Sequence, residues 1–300
     1  MVDDRTAFSQ LQPDLARNFR SFSGDSGQPY TAVVIPSQSF DPVELAKIDG
    51  VAHYEERSLF NLMLLRHPRL EVIYVTSKRL NPLIVDYYLH QMRGVLPHHA
   101  RSRLTLLDCD DASPRPLTLK ILERPRLVQR IKAGIRHPGH MVVFNATPLE
   151  RRLALELGVP LNACDPELSH LGSKTGSREL FREAGLRCAP GRDGLRDTGE
   201  LPKALAETWE EAPDARKLVV KLNDSFSGEG NALLPLDALA SVAPGESDHG
   251  TRVAALSEAL PTLRFEAAGV EWDGYAEQFD QMPTDEKVLR PCVRAEVMSR

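Results

Sequence analysis

The chain has 300 residues, a formal net charge of −5 and four widely spaced cysteines. Its length suggests about two domains, and its acidic charge argues against a nucleic-acid-binding protein, which would usually carry a basic field. No apolar run approaches the roughly 20 residues that span a bilayer, and the acidic start lacks the apolar segment of a signal peptide, so we expect a cytoplasmic protein with reduced thiols and no zinc site.

Strands and helices alternate through the first half of the chain. Residues 1–30 are polar and are predicted to form a helix followed by a loose lead-in. Apolar runs predict strands at 31–36, 72–76, 104–108 and 141–145, with helices at 59–65, 82–92 and 117–135. This alternation predicts an α/β fold with a doubly wound parallel sheet over residues 31–147, in which the strand ends carry loops toward a ligand crevice.

Several polar groups of this first domain are candidates for ligand binding. They are two serines after a strand, a basic cluster and an acidic cluster: Ser37, Ser39, His98, His99, Arg101, Arg103, Asp108, Asp110 and Asp111. Loop capping and solvent exposure are the commoner roles for such residues, and we expect those roles here. We likewise expect Glu55, Glu56 and Arg57 to form an exposed helix start.

A glycine-rich hairpin is predicted in the second half, which begins near residue 148. Residues 218–222 and 232–234 form two apolar runs, and the segment NDSFSGEGN joins them. The backbone N–H groups of such a turn can wrap a polyphosphate. Lys221 is the only cation in the sequence between Leu218 and Leu234. An ordinary surface hairpin with an edge-strand lysine is the alternative.

A second anion-binding element is predicted about fifty residues upstream. The segment GSKTGS at residues 172–177 enters a helix whose apolar residues, Leu180, Phe181 and Ala184, are at helical spacing. Free N–H groups and the positive end of the helix dipole favour an anion there, next to Lys174. The spacing is not that of a Walker A loop, which excludes a P-loop NTPase. The alternative is a solvated lysine at a helix start.

Two lysines and a glycine-rich loop in this arrangement resemble the ATP-grasp superfamily. A series of uncommon segments narrows the resemblance: residues 54–57, 74–77, 86–89, 99–101, 110–118, 122–127, 144–151 and 157–160. In this order they resemble the pre-ATP-grasp domain and ATP-grasp lobe of the pheganomycin-type peptide ligases, a group of carboxylate–amine ligases. The resemblance extends from about residue 31 to about residue 231 and is loose beyond that point.

The resemblance implies an ATP-dependent ligase that forms an amide through an acyl phosphate. Its implied cofactors are ATP and Mg²⁺, its substrates a small carboxylate or peptide and an amine, and it implies neither a nucleic-acid nor a membrane partner. Lys174 and Lys221 would neutralise the phosphates, and the hairpin turn would cover them. The residues predicted to bind ATP in that turn are Ser225, Ser227, Gly228, Glu229 and Gly230. The resemblance transfers no catalytic or metal-binding residue to this chain.

The C-terminal part departs from the ATP-grasp pattern. The acidic residue that the family places on a hinge strand is either Glu277 or Glu296, and the register is left open. Residues 148–300 are accordingly predicted to be an incomplete, α+β ATP-grasp N-terminal lobe without the metal-binding lobe. We expect this chain alone to be inactive or incomplete. The alternative is a non-catalytic nucleotide- or partner-binding module derived from an ATP-grasp protein.

Overall fold

The computed structural model describes residues 3–23, 27–40, 45, 48, 50–222, 230–266, 269–280 and 292–296. Its contacts divide the chain into two compact units, Met1–Pro166 and Glu167–Arg300. Within the described ranges, no helix is both long enough and apolar enough to cross a membrane. The described thiols of Cys109, Cys164 and Cys188 are free.

The first unit contains eight labelled helices and four strands among its described residues. In chain order they are α1 Asp4–Leu11, α2 Pro13–Ser23, β1 Tyr30–Ile35, α3 Tyr54–Arg57, β2 Leu70–Thr76, α4 Pro82–His90, α5 Pro97–Arg101, β3 Leu104–Asp108, α6 Leu117–Leu122, α7 Pro125–Gly134, β4 Gly139–Val143 and α8 Pro148–Leu157. Two 3₁₀ helices, Val51–His53 and Ser58–Arg66, flank α3.

The four strands form a parallel sheet in the order β3-β2-β1-β4. All six residues of β1 are buried, which is expected for a central strand that is covered on both faces. Val33 and Ile35 pack on one face with α1, α6, α7 and α8, whereas Ala32 and Val34 pack on the other with the 3₁₀ helix Ser58–Arg66 and α4. The predicted doubly wound parallel sheet is therefore confirmed.

Two helices of this unit differ in detail from those predicted from the sequence. The helix predicted across residues 117–135 is two helices, because Pro125 begins α7 and restricts Arg124 to non-helical backbone angles (φ −121°, ψ 78°). The apolar segment predicted as a helix at residues 59–65 is a 3₁₀ helix. Residues before 31 and after 147 also join this unit, since Phe8 of α1 and Leu153 of α8 lie in one core.

The second unit is an α+β unit built on an antiparallel sheet. Its labelled elements are α9 Lys174–Glu183, β5 Gly191–Arg192, α10 Leu201–Glu211, β6 Lys217–Lys221, β7 Asn231–Pro235, α11 His249–Ala259, β8 Arg264–Phe265, α12 Trp272–Asp280 and β9 Cys292–Glu296. The strand order is β5-β9-β6-β7-β8, with antiparallel pairing throughout. Strand β9 ends at Glu296, one of the two hinge candidates.

One face of this sheet packs against α10, α11 and α12. Leu218, Val220 and Leu222 alternate along β6 and its end, and all three lie in the core with Leu205 of α10 and Leu256 of α11. Side chains alternate between the two faces of a strand. Lys221 is therefore on the face opposite these helices.

Candidate functional site

Ser173 and Lys174 form the start of α9. Ser173 is the N-cap residue, and its hydroxyl accepts a hydrogen bond from the N–H of Gly176 at 3.0 Å. Lys174 is the first helical residue, as the sequence predicted, and its side chain is half-buried. This local structure places a cation within the first turn of a ten-residue helix.

Lys174 reaches the end of the predicted hairpin. Its Nζ donates a hydrogen bond of 2.6 Å to the carbonyl oxygen of Leu222, the residue that follows Lys221. The N–H of Leu222 in turn donates to the carbonyl oxygen of Gly230 at 2.9 Å, which closes the end of the β6–β7 ladder. The structure therefore brings Lys174 to the same end of the hairpin as Lys221.

Lys221 lies at the last position of β6, opposite Asn231 of β7. The side chain of Asn231 donates to Glu266 at 2.9 Å, just beyond β8, so this end of the sheet is tied across three strands. Lys221 is half-buried, between fully buried Val220 and Leu222. Its predicted role, and that of Lys174, in binding phosphate stays a prediction.

Four of the predicted ATP-binding residues lie outside the described residues: Ser225, Ser227, Gly228 and Glu229. Gly230 is described and buried at the end of the hairpin. Besides the N–H of Leu222, its carbonyl oxygen accepts a hydrogen bond from the hydroxyl of Tyr275 in α12 at 3.1 Å. Tyr275 was not among the residues that the sequence analysis named as candidates for the site. A tyrosine at a core-facing position was the available signal, because a buried hydroxyl requires a partner.

The two hinge candidates occupy different elements. Glu277 lies on α12 and is exposed; it is two residues beyond Tyr275 and hence about 200° around the helix from it. Glu296 ends β9, and its register partner is Lys217, whereas Cys292 pairs with Lys221. The backbone of Glu296 is thus four residues, roughly 13 Å, along the sheet from the lysine end. The choice between the two acids stays a prediction.

A buried ion pair fastens α9. The side chain of Arg178 is 7% exposed and that of Asp193 is 9% exposed, and Arg178 Nε lies 2.7 Å from Asp193 Oδ1. Arg178 also donates to the carbonyl oxygen of Ala189 at 2.8 Å, and Arg182 shares the same carboxylate. This ion pair was not predicted from the sequence, because Ala189 and Asp193 meet Arg178 only when the segment around β5 packs along α9.

The first unit contains a second polar cluster, at the carboxyl ends of its strands. Glu55 accepts hydrogen bonds from the N–H and hydroxyl of Ser77, and Lys120 Nζ donates to Ser77 Oγ at 2.9 Å and to the carbonyl oxygen of Ser113 at 2.7 Å. Burial raises the pKa of Glu55, and the bonds from Ser77 oppose that rise. Burial lowers the pKa of Lys120.

The expectation that Glu55 is exposed was therefore wrong. It is 6% exposed, because the start of α3 turns toward partners on β2 and α6 that are distant in sequence. The cavity beside Gln38, Glu55 and Lys120 has a volume of about 10 Å³, which is close to the space for one water molecule. Among the described residues, this network joins the start of α3 to the loops that follow β2 and β3.

Two of the other polar candidates of the first unit, Arg103 and Asp111, also have structural partners. Arg103 donates to the carbonyl oxygens of Leu65 and Leu70, each at 2.7 Å. Asp111 pairs with Arg124 and accepts from Ser113, and these bonds lower its pKa. Across the described residues, no group of three or more His, Cys, Asp or Glu side chains could hold a metal ion.

Comparisons with known proteins show similarity to curated relatives and to solved structures. No protein-family model matches the chain. It is 29% identical over 218 residues to L-propargylglycine–L-glutamate ligase of Streptantibioticus cattleyicolor, with 70% of this chain and 45% of that protein covered. It is 25% identical over 228 residues to IQ motif-containing protein H of Danio rerio, with 70% and 22% covered.

One of the matching solved structures is an ADP complex of PurK, N5-carboxyaminoimidazole ribonucleotide synthetase. It covers 73% of this chain and 44% of that one, at 13% identity and a TM-score of 0.37. The chain thus spans less than half the length of the curated relatives that it matches. The similarity to a ligase, together with a parallel α/β unit followed by an α+β unit, confirms the resemblance to ATP-grasp peptide ligases.

Proposed function

We propose that this chain carries the nucleotide-phosphate-binding part of an ATP-dependent carboxylate–amine ligase. One observation supports this most: the ammonium group of Lys174 donates a hydrogen bond to the carbonyl oxygen of Leu222, the residue that follows Lys221 in the chain. Two cations at one end of a hairpin match a ligand with several negative charges. An ammonium group has three donors, so a bond to Leu222 does not by itself prevent Lys174 from binding an anion.

In the proposed reaction, a carboxylate oxygen attacks the γ-phosphorus of ATP while the bond from that phosphorus to ADP breaks. The amine nitrogen then attacks the carbonyl carbon of the acyl phosphate, the C–O bond to phosphate breaks, and the nitrogen loses a proton. Lys174 and Lys221 would stabilise the charge on the phosphoryl oxygens in the first step. Ser225, Ser227, Gly228 and Glu229 stay predicted contacts of the phosphates.

The proposed substrates are two small molecules, a carboxylate (an amino acid or a short peptide) and an amine. The similarity to L-propargylglycine–L-glutamate ligase supports this class of substrates, because that protein is named as a ligase of two amino acids. Mg²⁺ is implied by phosphoryl-transfer chemistry. The described residues contain no cluster that fits it, so the proposal assigns no step to a metal held by them.

A second candidate is a nucleotide- or partner-binding module without catalysis. It is favoured by the similarity to IQ motif-containing protein H, because that name denotes no reaction. The ligase requires ATP to bind at the two lysines, and so does the module if it kept its nucleotide. They differ in turnover, measured on a protein that also contains a metal-binding lobe: the ligase releases ADP when a carboxylate is added, whereas the module releases none.

Titration calorimetry of ATP with the purified chain tests the proposal. Lys221→Ala should weaken ATP binding about tenfold or more, because hydrogen bonds to charged groups contribute roughly 1.5–3 kcal/mol. The matched control is Lys203→Ala, which removes a lysine that is 71% exposed on α10 and should leave the affinity unchanged. Equal affinities for the wild type and Lys221→Ala, or no binding by the wild type, would contradict the proposal.

A further inference from the structure

Two side chains from outside the hairpin hold its end. Lys174 of α9 bonds the carbonyl oxygen of Leu222 at 2.6 Å, and Tyr275 of α12 bonds that of Gly230 at 3.1 Å. Leu222 and Gly230 are themselves joined by a backbone hydrogen bond of 2.9 Å. The last described pair of the hairpin is therefore fixed from both sides.

Tyr275 is placed firmly enough to act in this way. It is 1% exposed, and its ring packs at 4.9 Å from Phe265 of β8 and 6.4 Å from Phe279. Farther along α12, Asp280 accepts hydrogen bonds from the N–H and hydroxyl of Thr198 at 2.7 and 3.0 Å. The helix is thus fixed by apolar packing and by a polar contact at its end.

The hydroxyl of Tyr275 does more than fill the core. A buried hydroxyl without a partner costs free energy, and a phenylalanine would pack equally well between Phe265 and Phe279. The carbonyl oxygen of Gly230 has two lone pairs and accepts from both Tyr275 and Leu222. Gly230 directly precedes Asn231, which is the register partner of Lys221. The position of Gly230 therefore sets the strand end that carries the second lysine.

We infer that Tyr275 is a positioning residue of the phosphate site. Its hydroxyl holds Gly230, and through Gly230 the end of the β6–β7 ladder, where Lys174 bonds Leu222 and Lys221 ends β6. This inference rests on the proposed function, because it assigns Tyr275 to the site where ATP would bind. It differs from a purely structural role, since removal of one oxygen atom should affect the hairpin end and the ligand more than the fold.

Tyr275→Phe tests the inference, with Tyr87→Phe, an exposed tyrosine of the first unit, as the matched control. The first measurement is amide hydrogen exchange at Leu222 without nucleotide. Loss of a hydrogen bond of about 1 kcal/mol should accelerate this exchange about fivefold. The second is ATP affinity by calorimetry, which should weaken by a similar factor. The unfolding midpoint should shift by no more than about 4 °C.

The outcomes separate this inference from the proposed function. Faster exchange at Leu222 together with weaker ATP binding supports the role of Tyr275. Unchanged exchange at Leu222 overturns it, and so does unchanged affinity in Tyr275→Phe when Lys221→Ala has lost affinity. If the wild type binds no ATP, the proposed function fails and the assignment of Tyr275 to an ATP site fails with it. The exchange result then still decides whether the hydroxyl holds the hairpin end.

Discussion

Gly176 packs directly against the carbonyl group of His170: a Cβ atom at Gly176 would lie 2.1 Å from that oxygen. The contact brings the first turn of α9 onto the 3₁₀ helix Pro166–Gly172 that precedes it. Glycine at this position is therefore required by close approach of two backbones. It fixes the helix start at which Lys174 emerges.

The first prediction concerns this contact. Gly176→Ala should destabilise the second unit by about 3 kcal/mol, because the added methyl group meets backbone rather than a movable side chain. It should also weaken ATP binding by displacing Lys174. Gly172→Ala is the matched control, since nothing lies within 4 Å of a Cβ there. Urea unfolding of both variants provides the measurement. Equal unfolding free energies of Gly176→Ala and Gly172→Ala would show that the contact with His170 does not require glycine.

The second prediction concerns the buried pair of Arg178 and Asp193. Arg178→Leu should cost about 3 kcal/mol of unfolding free energy, because it leaves a carboxylate buried with less compensation. Arg182→Leu removes the other partner of that carboxylate, but its side chain is 55% exposed, so the loss should stay below about 1 kcal/mol. Denaturant unfolding compares the two. A larger loss of unfolding free energy for Arg182→Leu than for Arg178→Leu would contradict the importance of the buried pair.

The third prediction is a pH dependence that comes from His140. This residue is 3% exposed, with Nδ1 at 3.0 Å from the hydroxyl of Tyr30, and burial lowers its pKa to about 4. The unfolded chain binds the proton near pH 6.5, whereas the folded chain binds it only near pH 4. Stability of the first unit should therefore be fully present above pH 6.5 and fall as the pH drops toward 4.

The shift in the pKa of His140 sets the size of this loss, which is about 3 kcal/mol of unfolding free energy between pH 7 and pH 4. The measurement is unfolding free energy against pH for the wild type minus that for His140→Gln. The raised pKa of Glu55 acts in the opposite direction, but it is present in both proteins and cancels in the difference. A difference that does not change with pH would contradict a neutral, buried His140.

Much of the fold could be predicted from the sequence because its signals are local. Buried β1 and the alternating residues of β6 show their positions in the sheet by their apolar patterns alone. The N-cap Ser173 and the position of Lys174 were likewise readable, since a helix start depends on neighbouring residues. The helix break at Arg124 had a local signal too, in Pro125.

The features that could not be predicted depend on partners distant in sequence. Glu55 reads locally as an exposed helix residue, and its burial is compensated by Ser77 and Lys120. Tyr275 reads as an apolar helix position, yet its hydroxyl meets Gly230 only after α12 packs on the sheet. The contact of Lys174 with Leu222 also depends on tertiary packing. Local patterns identified the two lysines, and tertiary structure was needed to show that they lie at one hairpin end.

The central claim is that Lys174 and Lys221 bind the same polyphosphate. A double-mutant cycle of Lys174→Ala and Lys221→Ala, measured by calorimetry with ATP and with AMP, tests it most directly. Each variant should lose about tenfold or more in ATP affinity, the two losses should not be additive, and both should be smaller with AMP. Equal wild-type affinities for ATP and AMP, or strictly additive losses with no dependence on phosphate number, would contradict it.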